Sequence, residues 1–395
     1  MKPPRRPIYL DSHATTPMDP RVLEAMLPCF TEHFGNASSD SHPYGEDAAE
    51  AVERARETVA GALGAQPREI VFTSGATEAN ALAILGATAA QRDKSRRKVI
   101  TAATEHKAVL DPVRRLEREG WDVVILPVGA DGLLDLDALA KELDERTALV
   151  SVMHGNNETG VLQDIAAIGA LCEAAGAVFH TDATQTAGKL PLDLGAMPVG
   201  LLSCSAHKVY GPKGVGALYV RKSRPRVRLE PLVTGGGQER GLRGGTLNTP
   251  GIVGFAKALE LAVRGREAER VRVAALRDQL RDRLFAELDE LRENGAGAPR
   301  MAHSLSVTFR YVDATALMNH LREVIAVSSG SACSSRDPEP SHVLLAMGLT
   351  AEEARSTLRF GLSRFTTDDD VETAAGALIA AARELRAHSP LYSMR

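Results

Sequence analysis

Three segments place chemically capable side chains directly after short apolar runs. EIVFT (69–73) leads into Ser74-Gly75-Ala76-Thr77-Glu78 and then a helical pattern. A glycine with two hydroxyls at such a turn presents backbone N–H groups and the positive end of a helix dipole, which suits a phosphate. An ordinary N-cap on Ser74 or Thr77 is the plainer reading of the same residues. AVFHTDATQTAGK delivers Asp182 at the end of another run. That carboxylate can cap a helix, the plainer role when the segment stands alone. It can also pair with a buried cation such as the protonated pyridine nitrogen of pyridoxal phosphate. SCSAHKVYGPKGVG (203–216) sets Ser205, His207 and Lys208 after a third run and before a glycine–proline turn. A lysine there suits Schiff-base chemistry. A loop lysine on the surface is the alternative, but the chain holds 10 Lys against 37 Arg, with none after Lys257, so its surface favours arginine. GPKGVG is a poor dinucleotide loop, because it precedes a strand-like run instead of following one.

Cys333 lies in SSGSACSS (328–335), a stretch of small residues with almost no apolar anchor. The stretch reads as a mobile loop carrying a used thiol, since an idle exposed thiol invites oxidation. Cys172 and Cys204 sit in helical and strand-end contexts and read as small core hydrophobes, as does Cys29. No CxxC pair or Cys/His ligand spacing occurs, so neither a zinc site nor a disulfide framework is expected. His13, His42, His154 and His180 likewise read as strand-end or loop residues, and no metal site is expected.

The elements that must position these groups alternate. Strand-like runs at 69–73, 98–103, 122–128, 148–153, 177–181, 199–204 and 215–220 are interleaved with helical stretches at 75–90, 107–119 and 162–175. Residues 46–63 put Val52, Ala55, Val59 and Leu63 on one helical face. Such alternation predicts a mostly parallel sheet covered by helices, with ligands outside the carboxyl ends of its strands. Helical periodicity then runs from 251 to 293, with Gly265 a place for a kink. Strand-like segments follow at 304–310, 324–328 and 356–362, and a helix at 367–386 opens on three aspartates. The result is an α/β domain followed by a smaller α+β domain. The charge runs at 264–293 read as a solvated helix face.

Composition narrows the class. At 395 residues, two domains are the simplest division, and 44% hydrophobic with 25% charged residues is ordinary for a globular enzyme. A net charge of −4 argues against a nucleic-acid binder held by a general basic field. MKPPRRPIYLDSHATTP lacks the apolar run of a signal peptide, and nothing approaches the roughly 20 apolar residues of a membrane span. A cytoplasmic protein is expected, without membrane or nucleic-acid partners.

Ten segments, in order along nearly the whole chain, are similar to those of one family: YLDSHATTPMDPRV, FGNASS, FTSGATEANALAI, TEHKAVL, VSVMHGNNETGVLQDI, DATQTAGKLPLDL, SAHKVYGPKGVGALY, GGGQERGLRGGTLN, VSSGSACSS and LRFGLSRFTT. Together they resemble the NifS/IscS-like cysteine desulfurases of the class V aminotransferase family. The resemblance implies a fold-type I enzyme dependent on pyridoxal 5'-phosphate. Its mostly parallel seven-stranded sheet would lie in residues 16–262, and a smaller domain would combine residues 1–15 with 263–395 and carry the loop at 328–336. It implies that Lys208 holds the cofactor covalently, that Ala76, Thr77, Ser205 and His207 hold its phosphate, and that Thr246 reaches the phosphate from the other subunit of a homodimer. Asp182 would pair with the pyridine nitrogen and Gln185 with the ring hydroxyl. His106 would stack on the ring and assist proton transfer. Asn157 would meet cofactor and substrate, and Arg359 would clamp the substrate carboxylate.

The implied reaction takes sulfur from L-cysteine, leaving L-alanine and a persulfide on Cys333. The sulfur then passes to an iron–sulfur scaffold or another acceptor protein, with Cys333 the one possible contact to a cluster. Selenocysteine lyase or another class V enzyme is the alternative, although a transaminase has no use for the Cys333 loop. A docking module whose chemistry has lapsed would lack the full set Lys208, Asp182, His106 and Cys333. Two departures stand out: Ala37 replaces a commoner proline in FGNASS, and the sequence closes on SPLYSMR about where such enzymes continue into a scaffold-contacting tail.

Overall fold

The computed structural model describes residues 6–223, 225–329, 339–389 and 392. Cys333 and most of the expected 328–336 loop lie outside the described residues. Among the described residues twelve strands are formed: β1 (Ile8–Tyr9), β2 (Ile70–Thr73), β3 (Lys98–Ala102), β4 (Asp122–Leu126), β5 (Thr147–Ser151), β6 (Val178–Asp182), β7 (Leu201–Ser205), β8 (Gly216–Val220), β9 (Leu291–Glu293), β10 (Ser304–Phe309), β11 (Ile325–Ala326) and β12 (Thr357–Gly361).

The seven expected runs become one sheet in the order β2-β8-β7-β6-β5-β3-β4. Only β8 is antiparallel to its neighbours; the other four pairings are parallel. Because β8 runs against both β2 and β7, those two point the same way, and all strands but β8 end at one edge. β3, β5, β7 and β8 are buried along their whole length, as near-continuous apolar strands covered on both faces should be. The helix Pro43–Leu63 packs Val52, Ala55, Val59 and Leu63 inward, capped by His42 at its start and ended by Gly64 in the left-handed region.

The helix Thr249–Glu287 opens on the Asn248 cap and runs unbroken through Gly265. Its first half puts Ile252, Phe255 and Leu259 into the core of the large sheet. Its second half puts Val273, Leu276, Leu280 and Leu284 into a separate apolar core with β10, β12 and the helix Asp368–Ala387. The helical periodicity expected as far as 293 is overridden at its end. Glu290 takes a positive φ of 52°, and residues 291–293 form β9 against β10, with Leu291 opposite Phe309. Leu291, Arg292 and Glu293 all favour helix, so the ladder to β10 overrides local propensity here. The second sheet has the order β12-β10-β9, and β1 pairs with β11. Among the described residues no helix is long and apolar enough to cross a membrane.

One buried ion pair ties the glycine-rich segment after residue 234 to the large sheet. Arg56 donates to both carboxylate oxygens of Glu239 at 2.7 and 2.8 Å and to the carbonyl of Ile70, while Glu239 also accepts from the Phe72 amide. These bonds hold Glu239 at φ 48°, a conformation a non-glycine residue adopts at a cost. Glu239→Ala would leave the Arg56 charge buried beside fewer acceptors. A loss of about 3–5 kcal/mol is expected, read as a lower midpoint in thermal or denaturant unfolding.

Candidate active site

The carboxyl ends of the strands open into one cavity of about 1220 Å³. Ala76, Thr77, His106, Asn157, Asp182, Gln185, Ser205, His207, Lys208 and Arg359 all line it. Of the expected site residues described here, only Thr246 stands apart, exposed on the loop before the long helix.

The turn after β2 is a cradle of backbone. Gly75 has φ 151° and ψ −177°, a region open essentially to glycine alone, and it caps the helix Ala76–Ala81 with no side-chain hydrogen bond. Neither Ser74 nor Thr77 supplies the ordinary cap, so the first amides of the helix face the cavity without one. Gly216 on β8 explains a glycine of the GPKGVG run: a Cβ there would lie 2.8 Å from the Cα of Gly75 and 2.5 Å from the carbonyl oxygen of Cys204. The cradle sits directly on the sheet because that side chain is missing.

Asp182 ends β6, where its carboxylate closes the turn that follows and meets the neutral amide of Asn80; no helix begins there for it to cap. Its Oδ1 accepts from the Thr184 amide at 2.8 Å, and Oδ2 accepts from Asn80 Nδ2 at 2.7 Å. Lys208 lies in the tight turn Ala206–Lys208 after β7 and donates to the carbonyls of His13 and Ala14. Burial, with Arg359 nearby, pushes its ammonium down to about 8, so a reactive free amine is accessible near neutrality. Burial also pushes His207 down to about 4; its Nδ1 lies 3.1 Å from Thr15 Oγ1.

His106 follows β3 and caps the helix Lys107–Arg118, its Nδ1 accepting from the Ala108 amide at 3.0 Å. The neutral ring therefore carries its proton on Nε2. Burial lowers its pKa, which favours that neutral form. Beside it, Glu105 is fully buried, with Oε1 accepting from the Met153 amide; burial raises its carboxyl well above the usual range. Arg359, on β12, gives Nη2 to Asp11 at 2.7 Å and Nη1 to the Asn157 carbonyl at 3.2 Å. The small sheet thus delivers a buried guanidinium to the mouth of the large one.

Residues that sequence reasoning did not assign complete the surroundings. Asn80 holds Asp182, and Asp11 holds Arg359. His13, read as an ordinary loop histidine, offers its carbonyl to Lys208. Their contacts span 102 to 348 positions in sequence, a separation no local pattern reports. The other singled-out histidines are structural: His180 is bridged by Ser151 and Ser203, and His154 meets Thr186. Cys172 and Cys204 are core residues, their thiols pushed up to about 12 by burial. No group of metal-ligating side chains occurs among the described residues.

Does the cavity fit a polar, phosphorylated cofactor? Among the described residues six buried polar side-chain atoms lack a partner, and four of them, Asn80 Oδ1, Glu105 Oε2, Thr184 Oγ1 and Arg359 Nε, belong to cavity-lining residues. Unpaired buried polar groups are costly, and their concentration here matches a site that a polar ligand completes. Uncapped amides, an acceptor carboxylate and a depressed lysine supply the matching donor and acceptor set.

The profile described as Aminotransferase class-V matches residues 8–373. The chain belongs to the class-V aminotransferase family. Within it, the chain is 55% identical over 388 residues to the cysteine desulfurase IscS of Anaeromyxobacter sp. (strain Fw109-5), covering 98% of this chain and 95% of that one. Among solved structures, a NifS-like protein superposes with a TM-score of 0.87 at 37% identity, covering 96% and 99% of the two chains. SspA in complex with cysteine superposes at 0.79 with 39% identity, covering 91% and 99%. The class-V architecture is that of fold-type I enzymes, with a mostly parallel central sheet covered by helices.

Proposed function

We propose that this class-V enzyme is a cysteine desulfurase that holds pyridoxal 5'-phosphate on Lys208. The convergence of ten expected residues on one cavity carries the reading, supported by the likeness to the desulfurase IscS. The amides of Ala76 and Thr77 with Ser205 and His207 would hold the phosphate. Asp182 would keep a proton on the ring nitrogen, Gln185 would meet the ring oxygen, and His106 would cover the ring face. When bound, the cofactor supplies an electron sink at the α carbon of an amino acid. Arg359 binds the substrate carboxylate beside Asn157, the Lys208 amine takes the α proton, and the Cys333 thiolate attacks the substrate sulfur. One S–S bond forms as one C–S bond breaks, so cysteine leaves as alanine and Cys333 keeps the sulfur.

The working form is a homodimer in which Thr246 of one copy reaches the phosphate in the other. Support comes from the exposed position of Thr246 outside its own cavity and from an exposed apolar face at Leu27, Phe30 and Phe34. Residues 16–262 and the combination of 1–15 with 263–395 are the two domains, a division favoured by the two separate apolar cores. A cytoplasmic site and a scaffold or other acceptor protein for the sulfur complete the reading.

Mass spectrometry of the cofactor-loaded protein after L-cysteine, without reductant, tests it. One sulfur added on Cys333 with matching alanine is expected, and Cys333→Ala should bind L-cysteine yet gain no sulfur. Bound cofactor with neither sulfur adduct nor alanine would overturn the desulfurase reading in favour of another class-V reaction. Arg359→Lys, which trades a planar fork for a point charge, should raise KM for cysteine about tenfold in steady-state assays.

A further inference from the structure

Behind Lys208 lies a buried cluster that the reaction above does not use. Lys189 Nζ is 3.1 Å from His303 Nε2. The ring of His303 stacks on that of His13, centroids 4.8 Å apart and planes at 28°. His13 in turn meets Gln185 twice, Nδ1 to Oε1 at 3.3 Å and carbonyl to Nε2 at 3.0 Å, while the same carbonyl accepts from Lys208. An unbroken line of contacts therefore joins Lys189 to two of the groups assigned to the cofactor.

The hydrogen bonds fix its protonation pattern. Gln185 Nε2 donates to the His13 carbonyl, so its Oε1 faces Nδ1, which must carry the proton. His13 Nε2 is then an acceptor, satisfied by Ser304 Oγ at 2.7 Å. Burial holds both imidazoles neutral, each pushed well below its ordinary pKa. Facing a neutral ring, the Lys189 ammonium donates to His303 Nε2; once deprotonated, the amine can accept from the other tautomer of His303.

The groups around Lys189 leave that proton finely balanced. Glu269, from the long helix, favours it. Lys208 and Arg364 oppose it, and burial, the largest influence, brings Lys189 down to about 7. Tyr210, Arg266 and Arg270 line the same small cavity of about 40 Å³, and Arg277 acts on His303.

We propose that Lys189 is a positioning residue which, through the stacked His303 and His13, sets the hydrogen bonds of Gln185 and the charge felt at Lys208. This rests on Lys208 being the cofactor lysine. Losing the Lys189 charge removes a positive group near Lys208, so proton binding at the cofactor-bearing nitrogen becomes easier.

The test is a pH titration of the visible absorbance of pyridoxal phosphate bound to the full-length protein, with kcat and KM for cysteine measured alongside. Lys189→Met is expected to raise the absorbance midpoint by about half a pH unit or more, and to lower kcat several-fold with KM unchanged. Lys189→Arg should restore the wild-type midpoint. Lys189→Gln, which keeps a hydrogen-bonding group toward His303 but carries no charge, should shift the midpoint as Lys189→Met does, and it serves if that variant fails to fold. Midpoints equal to wild type in Lys189→Met and Lys189→Gln would overturn the proposal while leaving the desulfurase reading intact. A wild-type protein that develops no visible absorbance with pyridoxal phosphate would instead overturn the cofactor reading itself.

Discussion

Lys208→Ala is expected to abolish alanine release, a loss on the order of 10⁴ or more, together with the visible absorbance of lysine-bound cofactor. Few lysines are candidates for this role, and Lys208 combines burial, a turn that fixes its backbone, and carbonyl partners that give up its amine without disrupting a core. The fold should survive, because the truncated side chain leaves space in a cavity already open to solvent. Alanine release at the wild-type rate by this variant would end the assignment. The depressed pKa adds a pH signature in the wild-type apo-protein. Cofactor loading should accelerate as pH rises through about 8, where the amine loses its proton. The linkage has the matching sign: between about 8 and the ordinary 10.5 the unfolded chain binds more protons at this lysine, so the group makes folding stability rise with pH. Cofactor uptake rates and unfolding midpoints of wild type and Lys208→Ala across that window would show both effects.

Asp182→Asn should lower kcat about 10²–10³-fold while the protein still folds and still takes up cofactor. Asparagine keeps the oxygen that accepts from the Thr184 amide, so the turn after β6 is preserved. It loses the charge that would hold a proton on the ring nitrogen, and with it the electron sink. It also sets an amide against Asn80, whose Nδ2 donates to Oδ2 in the wild type. Asn80→Ala should show a weaker form of the same defect, because the carboxylate remains but loses one orienting donor. Equal kcat in wild type and Asp182→Asn, measured at saturating cysteine, would remove Asp182 from the chemistry.

The cavity was legible in the sequence to the extent that its residues are local to strand ends. Asp182, Lys208 and the Ser74–Thr77 turn each follow an apolar run, and a run buried on both faces delivers the next residue to the sheet edge whatever its partners. Even so, the roles of Asp182 and Lys208 stayed open from spacing alone, and the family resemblance supplied them. Tertiary contacts account for the misread parts. The 251–293 periodicity gave no sign that residues 291–293 would find β10, and Ser74 and Thr77 looked like caps until Gly75 took that position. His13 reads as a loop residue in the sequence because its partners Gln185 and Ser304 lie 172 and 291 residues away.

The sequence by itself determined the alternating α/β plan, the edge of the sheet where chemistry would gather, and the side chains that could perform it, because hydrophobic period and strand-end position are local properties. Only the tertiary structure decided how those side chains behave. Burial depressed Lys208, a contact across 348 residues set Asp11 against Arg359, and a stacked pair of histidines linked Lys189 to the site. Desolvation and hydrogen-bond partnership depend on what lies across the cavity, and that is fixed only when distant segments meet.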